Sequence, residues 1–195
     1  MTPADVDAAL RRGLRPVDRE WQRTALRRAA VLAPIVSVDG RDAVLFVVRA
    51  ASLRQHAGQI GFPGGADEGD DDPVTCALRE AEEEVGIRPA EVALLGSVAP
   101  RQSSSGYRVH CVVGRVADAA GLRADDGEID RLLPVPLTAL LPADRWYEHS
   151  PPAPPGRPPY PPSPHFRHGT DLIWGLTGRF CADLLAALRP PPPRP

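Results

Sequence analysis

The 195-residue sequence contains no lysine, so all 23 of its basic side chains are arginines. Arginine favours bidentate contacts with phosphate. A chain rich in alanine, arginine and proline is also typical of GC-rich coding, and we regard that as the simpler explanation. The net charge of −2 and the sequence pI of about 6.2 argue against a broad nucleic-acid surface, which would be basic.

Cysteines and long apolar runs are also scarce. Three widely spaced cysteines without a Cys-x-x-Cys pair argue against a disulfide framework and against structural zinc. The longest apolar run, AAVLAPIVSV at 29–38, is too short to span a bilayer. The N-terminus has mixed charge and does not resemble a signal peptide. We therefore expect a cytoplasmic protein that binds neither membranes nor nucleic acid.

The remaining pattern favours one globular domain with added segments, since a hydrophobic content of 43% can supply a core. The predicted divisions are an N-terminal helical segment at 1–28, a main domain at 29–188 with a proline-rich surface loop at 150–164, and a disordered proline-rich tail at 189–195. The predicted elements are a helix at 3–28, strands at 29–38, 42–50, 91–99, 107–116 and 128–136, a short strand near Ile60 and Phe62, helices at 73–85 and 136–141, and a strand leading into a closing helix at 170–188.

The helix at 73–85 has clear signals at both ends. Asp72 is suited to cap its N-terminus, Pro73 suits the first position, and Gly86 suits the residue just past its end. Its C-terminal half reads REAEEEV, so several carboxylates crowd the end where the helix dipole is already negative. This arrangement is electrostatically unfavourable unless something compensates for it.

Three of these carboxylates, Glu80, Glu83 and Glu84, lie within an arc of about 100° on a helical projection. The arc borders the apolar stripe that faces the core. A solvated acidic face is the common explanation of such a charge run. The shared arc, the unfavourable dipole end and the preceding Gly64-Gly65 pair instead favour a site for a hard divalent cation such as Mg²⁺, which binds oxygen ligands and phosphates.

These residues resemble the Nudix box, G-x5-E-x7-R-E-U-x-E-E-x-G-U, where U is a bulky aliphatic residue. The resemblance covers 23 residues, 65–87, and places Arg79, Glu80, Glu83 and Glu84 at the box positions. Asp71 stands where the box has its first glutamate, and Ala81 is small for a U position. Asp71 keeps the carboxylate with a shorter reach, and we expect a supporting role for it.

The upstream segment LFVVRAASLRQHAGQIGFPGG, 45–65, resembles the extension that marks the coenzyme A pyrophosphatase branch of the Nudix hydrolases. Val47 and Ala50 replace the Thr and Ser of that pattern. The segments SGYRVHCVVG and IWGLT also resemble parts of this branch, so the resemblance extends over about 29–185. The positions that match the extension are Arg49, Arg54, Gly58 and the run from Phe62 to Gly65.

The resemblance implies an α/β fold, a Nudix α/β/α sandwich with a mixed β-sheet between helices. It also implies Mg²⁺- or Mn²⁺-dependent hydrolysis of a pyrophosphate linked to a nucleoside. For this branch the implied small-molecule substrate is coenzyme A or a derivative. The products would be adenosine 3',5'-bisphosphate and 4'-phosphopantetheine or its acyl form.

The implied roles follow the matched positions. Glu80, Glu83, Glu84 and the Gly64 carbonyl would bind metal, and Arg79 would orient Glu83. The general base is either a box glutamate or Glu128, which this branch tends to carry before a segment such as IDRLLPVPL. The residues implied to hold the substrate and its phosphates are Arg49, Arg54, Gly64 and Gly65.

Other interpretations stay open on sequence alone. The chain could act on another nucleoside diphosphate derivative such as ADP-ribose, or it could be a non-catalytic Nudix binding module. The proline-rich stretches 151–164 and 190–195 could serve an adaptor. The sequence does not decide between free and acylated coenzyme A, or between a monomer and a homodimer.

Overall fold

The computed structural model describes residues 2–53, 56–125, 127–150 and 161–189. Ten strands and four α-helices are present in these ranges. They are, in chain order, α1 Pro3–Gly13, β1 Arg27–Val38, β2 Arg41–Arg49, β3 Ile60–Gly61, β4 Gly64–Ala66, α2 Pro73–Val85, β5 Val92–Gln102, β6 Tyr107–Val116, β7 Ile129–Pro136, α3 Leu137–Leu140, β8 Trp146–His149, β9 Ser163–His168, β10 Asp171–Ile173 and α4 Gly175–Leu188.

A mixed sheet of seven strands lies at the centre of the fold. Its strand order is β3-β2-β1-β6-β5, with β4 added beside β1 and β7 beside β2. β1 and β6 run parallel, and the other pairs are antiparallel. A second, three-stranded sheet has the order β10-β9-β8, and its β10 packs against β3.

Two apolar clusters cover the two faces of the central sheet. One contains the buried face of α2, and the other contains buried residues of α1 and α4. Alternate residues of each strand enter opposite clusters, as the pleat of a strand requires. Helices therefore lie on both sides of a mixed sheet, which confirms the predicted α/β/α sandwich.

The ends of α2 are fixed by the signals read from the sequence. The Asp72 carboxylate accepts hydrogen bonds from the Val74 and Thr75 amides at 2.8 and 2.9 Å. Gly86 ends the helix with a φ of 75°, a left-handed conformation that glycine adopts at low cost. The predicted bounds of this helix are confirmed, so the positions of its carboxylates are well defined.

The predicted N-terminal helix at 3–28 is wrong beyond Gly13. Leu14 is extended, Pro16 cannot continue helical hydrogen bonding, and Arg15 instead exchanges backbone hydrogen bonds with Ser97 of β5. α1 also packs into the same apolar cluster as α4, so it is part of the main core. The division of the chain at 28 is therefore not a structural boundary.

Three strands were absent from the predicted set, namely β4, β8 and β9. β9 begins at Ser163, so the end of the predicted loop at 150–164 is a strand. Residues 151–160 of that loop and the tail from 190 onward lie outside the described residues. Within the described part of the chain, no helix is long and apolar enough to cross a membrane.

Candidate active site

The C-terminal half of α2 lies beside the short strand β4, and Arg49 at the end of β2 reaches Glu84 on this helix. Glu84 is buried, with 8% of its surface exposed, whereas the side chain of Glu83 is 61% exposed. Glu80 lies between these extremes. The predicted arc of three carboxylates therefore spans the boundary between the core and solvent.

Glu84 is held by one backbone amide and one guanidinium. The Gly64 N–H donates to its Oε2 at 2.9 Å, and Arg49 approaches its Oε1 at 3.4 Å. Burial raises the pKa of Glu84 to about 7, because desolvation of the carboxylate outweighs both of these favourable contacts. A second positive charge nearby would relieve that penalty.

Gly65 lets Glu80 come unusually close to β4. A Cβ atom at Gly65 would lie only 2.3 Å from Oε2 of Glu80. Burial raises the pKa of Glu80 above its ordinary value, although the hydrogen bond from Arg79 opposes this rise. Two neighbouring carboxylates of α2 are thus both destabilised in their charged form by burial.

Arg79 connects three acidic side chains. Its NH1 donates to Glu80 at 2.9 Å and to Glu83 at 3.1 Å. Its Nε and NH2 bind the Asp70 carboxylate at 3.1 and 3.0 Å. The sequence predicted the contact with Glu83 but missed Asp70, because the run DEGDDD at 67–72 offers five acids with nothing to distinguish them. Asp71, which stands at the first-glutamate position of the Nudix box, is exposed.

Arg49, at the end of β2, lies between Glu84 and a carboxylate from a distant loop. Its NH2 donates to Glu128 at 2.9 Å, just before β7 begins. The Glu128 side chain is 57% exposed, and its backbone carbonyl accepts from Ala50. The structure therefore brings the two general-base alternatives, a box glutamate and Glu128, to one arginine. Arg54 lies outside the described residues.

The sequence profile of the NUDIX domain matches residues 26–154, about two thirds of the chain. The chain belongs to the Nudix family. It is 45% identical over 122 residues to an uncharacterized Nudix hydrolase, NudL, from Yersinia pestis (strain Pestoides F), and equally to the NudL protein of Yersinia pseudotuberculosis serotype O:1b (strain IP 31758). These alignments cover 62% of this chain and 61% of each relative, so the chain spans about three fifths of the length of these curated relatives.

A solved structure of a MutT/nudix family protein from Enterococcus faecalis supports the same fold. It superposes with a TM-score of 0.52 and covers 86% of this chain and 62% of that chain. The identity of 14% is too low to carry a function. The Nudix fold is thus supported both by the sequence profile and by the architecture of the central sheet.

Nudix hydrolases generally use divalent cations such as Mg²⁺ or Mn²⁺. In the described parts of this Nudix chain, no three acidic, histidine or cysteine side chains lie close enough together to hold a metal as they stand. The carboxylates of Glu80 and Glu83 instead form ion pairs with Arg79. The candidate ligand atoms nevertheless suit these metals, since all of them are oxygens. Two of them belong to carboxylates whose charged form is disfavoured by burial.

An open groove of about 490 Å³ borders the Nudix box on the side of β1 and β6. The Arg27 guanidinium lies 4.0 Å from the centre of the Tyr107 ring and donates to the Ser105 carbonyl. Cys76 lies within the box on the buried face of α2, where burial raises the pKa of its thiol to about 12. This thiol therefore stays protonated and is a poor nucleophile. The groove is the candidate for contacts with a substrate beyond those made by the carboxylates. The groove is lined by Leu26, Arg27, Arg28, Ala66, Asp67 and Tyr107.

Proposed function

We propose that the chain is a metal-dependent hydrolase that splits the pyrophosphate of coenzyme A or a derivative. The observation that carries the proposal is the convergence of the box carboxylates with the Gly64-Gly65 backbone and Arg49. Glu84 contacts both the Gly64 amide and Arg49, and Glu80 packs on Gly65. We also propose that the enzyme works in the cytoplasm.

Glu80, Glu83, Glu84 and the Gly64 carbonyl would hold Mg²⁺ or Mn²⁺. When bound, such ions lower the pKa of a coordinated water and neutralise charge on the phosphates. Burial of Glu80 and Glu84 favours this occupancy, because a cation offsets the cost of keeping two carboxylates charged out of water. Arg79 would release part of its hold on Glu83 as the cation binds.

The other residues would orient the substrate and move a proton. Arg49 can bind a phosphate oxygen, since its buried Nε has no hydrogen-bond partner among the described residues. Arg54 is proposed for the same task from its matched position alone. Glu128 can accept a proton from the attacking water, because it is exposed and shares Arg49 with Glu84.

Coenzyme A is favoured over other pyrophosphates by the extension at 45–65, which precedes the box directly. A non-catalytic binding module is disfavoured, since Glu80, Glu83 and Glu84 are all retained. ADP-ribose is the main alternative substrate, because it shares the adenosine diphosphate portion. The choice between them is a matter for direct measurement.

The decisive experiment offers coenzyme A and ADP-ribose separately to the protein with Mg²⁺ or Mn²⁺ and identifies the products. We expect adenosine 3',5'-bisphosphate and 4'-phosphopantetheine from coenzyme A, and no product when EDTA removes the metal. Cleavage of ADP-ribose alone would keep the chemistry and overturn the substrate. Cleavage of neither would support a binding module.

A second, more specific prediction concerns the role of Arg27 in substrate binding. The groove next to the box can accept the adenosine half of coenzyme A, and Arg27 is its exposed cation over Tyr107. We expect Arg27→Gln to raise KM for coenzyme A by about tenfold, the loss of one charge-assisted contact with the 3'-phosphate. The KM for dephospho-coenzyme A, which lacks that phosphate, should change little.

Arg41→Gln is the matched control, since Arg41 is exposed at the start of β2, beyond the end of β1 that is far from Arg27. It should leave both KM values unchanged. An equal rise of KM for both substrates in Arg27→Gln would contradict recognition of the 3'-phosphate. The groove would then contribute only general contacts.

A further inference from the structure

Asp70 determines the orientation of the Arg79 guanidinium. The Asp70 carboxylate accepts hydrogen bonds from Nε and NH2 of that group, while NH1 donates to Glu80 and Glu83. The Asp70 side chain is only 8% exposed, so solvent screens its charge little and its ion pair with Arg79 is correspondingly strong. Without Asp70, Arg79 would be free to turn its remaining N–H groups toward Glu80 and Glu83. It would then compete more strongly with a cation for these carboxylates.

A segment that precedes the NUDIX match holds Asp70 in turn. We call residues 14–26, between α1 and β1, the N-terminal strap. Within the strap, the Trp21 Nε1–H donates to the Asp70 carbonyl at 3.1 Å. Arg19 approaches Asp72 at 3.6 Å, but its side chain is 61% exposed and the pair contributes little. Trp21 is therefore the main link between the strap and the acidic loop.

The strap is itself anchored to the central sheet. The Asp18 amide donates to the Ser97 hydroxyl at 3.0 Å, and the Asp18 carboxylate binds the buried His110 ring at 2.9 Å. The second nitrogen of that ring accepts from the Gln22 amide at 3.4 Å. The Trp21 and His110 rings form a T-shaped pair with centroids 5.3 Å apart. Trp21 is thus fixed between the sheet and the loop.

We propose that the N-terminal strap is a positioning element of the active site, with Trp21 and Asp70 acting through Arg79 on Glu80 and Glu83. Trp21 and most of the strap precede residue 26, where the NUDIX match begins. Its effect on catalysis rests on the proposed function. Its effect on Arg79 does not.

The test measures Mn²⁺ binding by electron paramagnetic resonance, together with the exchange of the Arg79 Nε–H by NMR. We expect Asp70→Asn to weaken Mn²⁺ binding about tenfold, the usual cost of losing a partner that orients a ligand. Trp21→Phe keeps the ring but loses the donor, and it should weaken binding about threefold. Both variants should speed exchange of the Arg79 Nε–H, and Asp70→Glu should restore most of the binding.

Glu68→Gln is the control, because it removes one negative charge from the same loop at an exposed position. The double variant Trp21→Phe, Asp70→Asn should be no worse than Asp70→Asn alone, since both changes act through one chain of contacts. Unchanged Arg79 exchange in Trp21→Phe overturns the proposal. So does a loss in Asp70→Asn no greater than in Glu68→Gln or Asp71→Asn. If the wild type binds no Mn²⁺, the exchange measurement still decides, and only the proposed function fails.

Discussion

Replacing Glu84 by glutamine is expected to lower kcat/KM for coenzyme A by about a thousandfold. A bound cation supplies several kcal/mol of charge stabilisation in the transition state, and losing about 4 kcal/mol of it costs three orders of magnitude. Glutamine keeps the size of the side chain and can still accept from the Gly64 amide. The loss would therefore report the missing charge and not a cavity.

The same substitution should make the metal-free protein more stable at neutral and higher pH. The folded state raises the pKa of Glu84 from 4.5 to about 7, so the folded protein binds a proton that the unfolded chain has released. Glu84 thus costs nothing well below pH 4.5, and its cost grows as the pH rises from 4.5 to about 7 and then levels off. At pH 8 this cost reaches roughly 3 kcal/mol, and Glu84→Gln should remove it.

Thermal unfolding in EDTA between pH 5 and pH 8 measures this effect. Glu82→Gln is the matched control for activity and stability, because Glu82 is on the same helix, is exposed, and forms no side-chain hydrogen bond or ion pair among the described residues. Glu83→Gln should lose activity as Glu84→Gln does, since Glu83 belongs to the same proposed set of metal ligands. A Glu84→Gln protein that is active, or whose stability follows the wild type at every pH, would contradict this role of Glu84.

The α2 helix shows what the sequence determines locally. Its cap at Asp72, the proline that follows and the terminal Gly86 act over a few residues, so the bounds and the carboxylate arc could be read directly. The resemblance to the Nudix box then located Gly64 and Gly65 beside that helix. Most central strands were predicted for the same reason, because their apolar runs are long and their turns are clear.

The errors share a different cause. β4 has three residues and exists through its pairing with β1, and the strap is not helical because it bonds to β5 and β6. Asp70, which the sequence did not single out, binds Arg79 because the loop places it there, with Trp21 holding its carbonyl. All of these features depend on contacts between residues that are far apart in the sequence. The local hydrophobic pattern therefore does not predict them.

The two adjacent glycines should respond to alanine in opposite ways. A Cβ at Gly64 would lie 2.4 Å from the Ala30 carbonyl oxygen and 2.5 Å from the Val31 Cα, at a φ of 151° that favours glycine. These are backbone atoms that cannot move aside, so Gly64→Ala is expected to cost about 3 kcal/mol or more of folding stability. Its loss of activity would follow from unfolding.

A Cβ at Gly65 would instead meet the end of the Glu80 side chain, at 2.3 Å from Oε2. That carboxylate can turn away, so Gly65→Ala should keep nearly the wild-type melting temperature. It should nevertheless lose activity by at least about a hundredfold, because Glu80 would no longer reach its place beside β4. Weaker binding of Mn²⁺ to the folded variant should accompany the loss.

Gly121→Ala is the control for both, since a Cβ there would meet nothing within 4 Å. Melting curves and Mn²⁺ titrations on the three variants separate the two effects. A folded, fully active Gly65→Ala protein would show that Glu80 is dispensable in its present position. A Gly64→Ala protein as stable as Gly121→Ala would mean that β4 can shift away from β1, and the close approach of Glu84 to the Gly64 amide would then lose its structural basis.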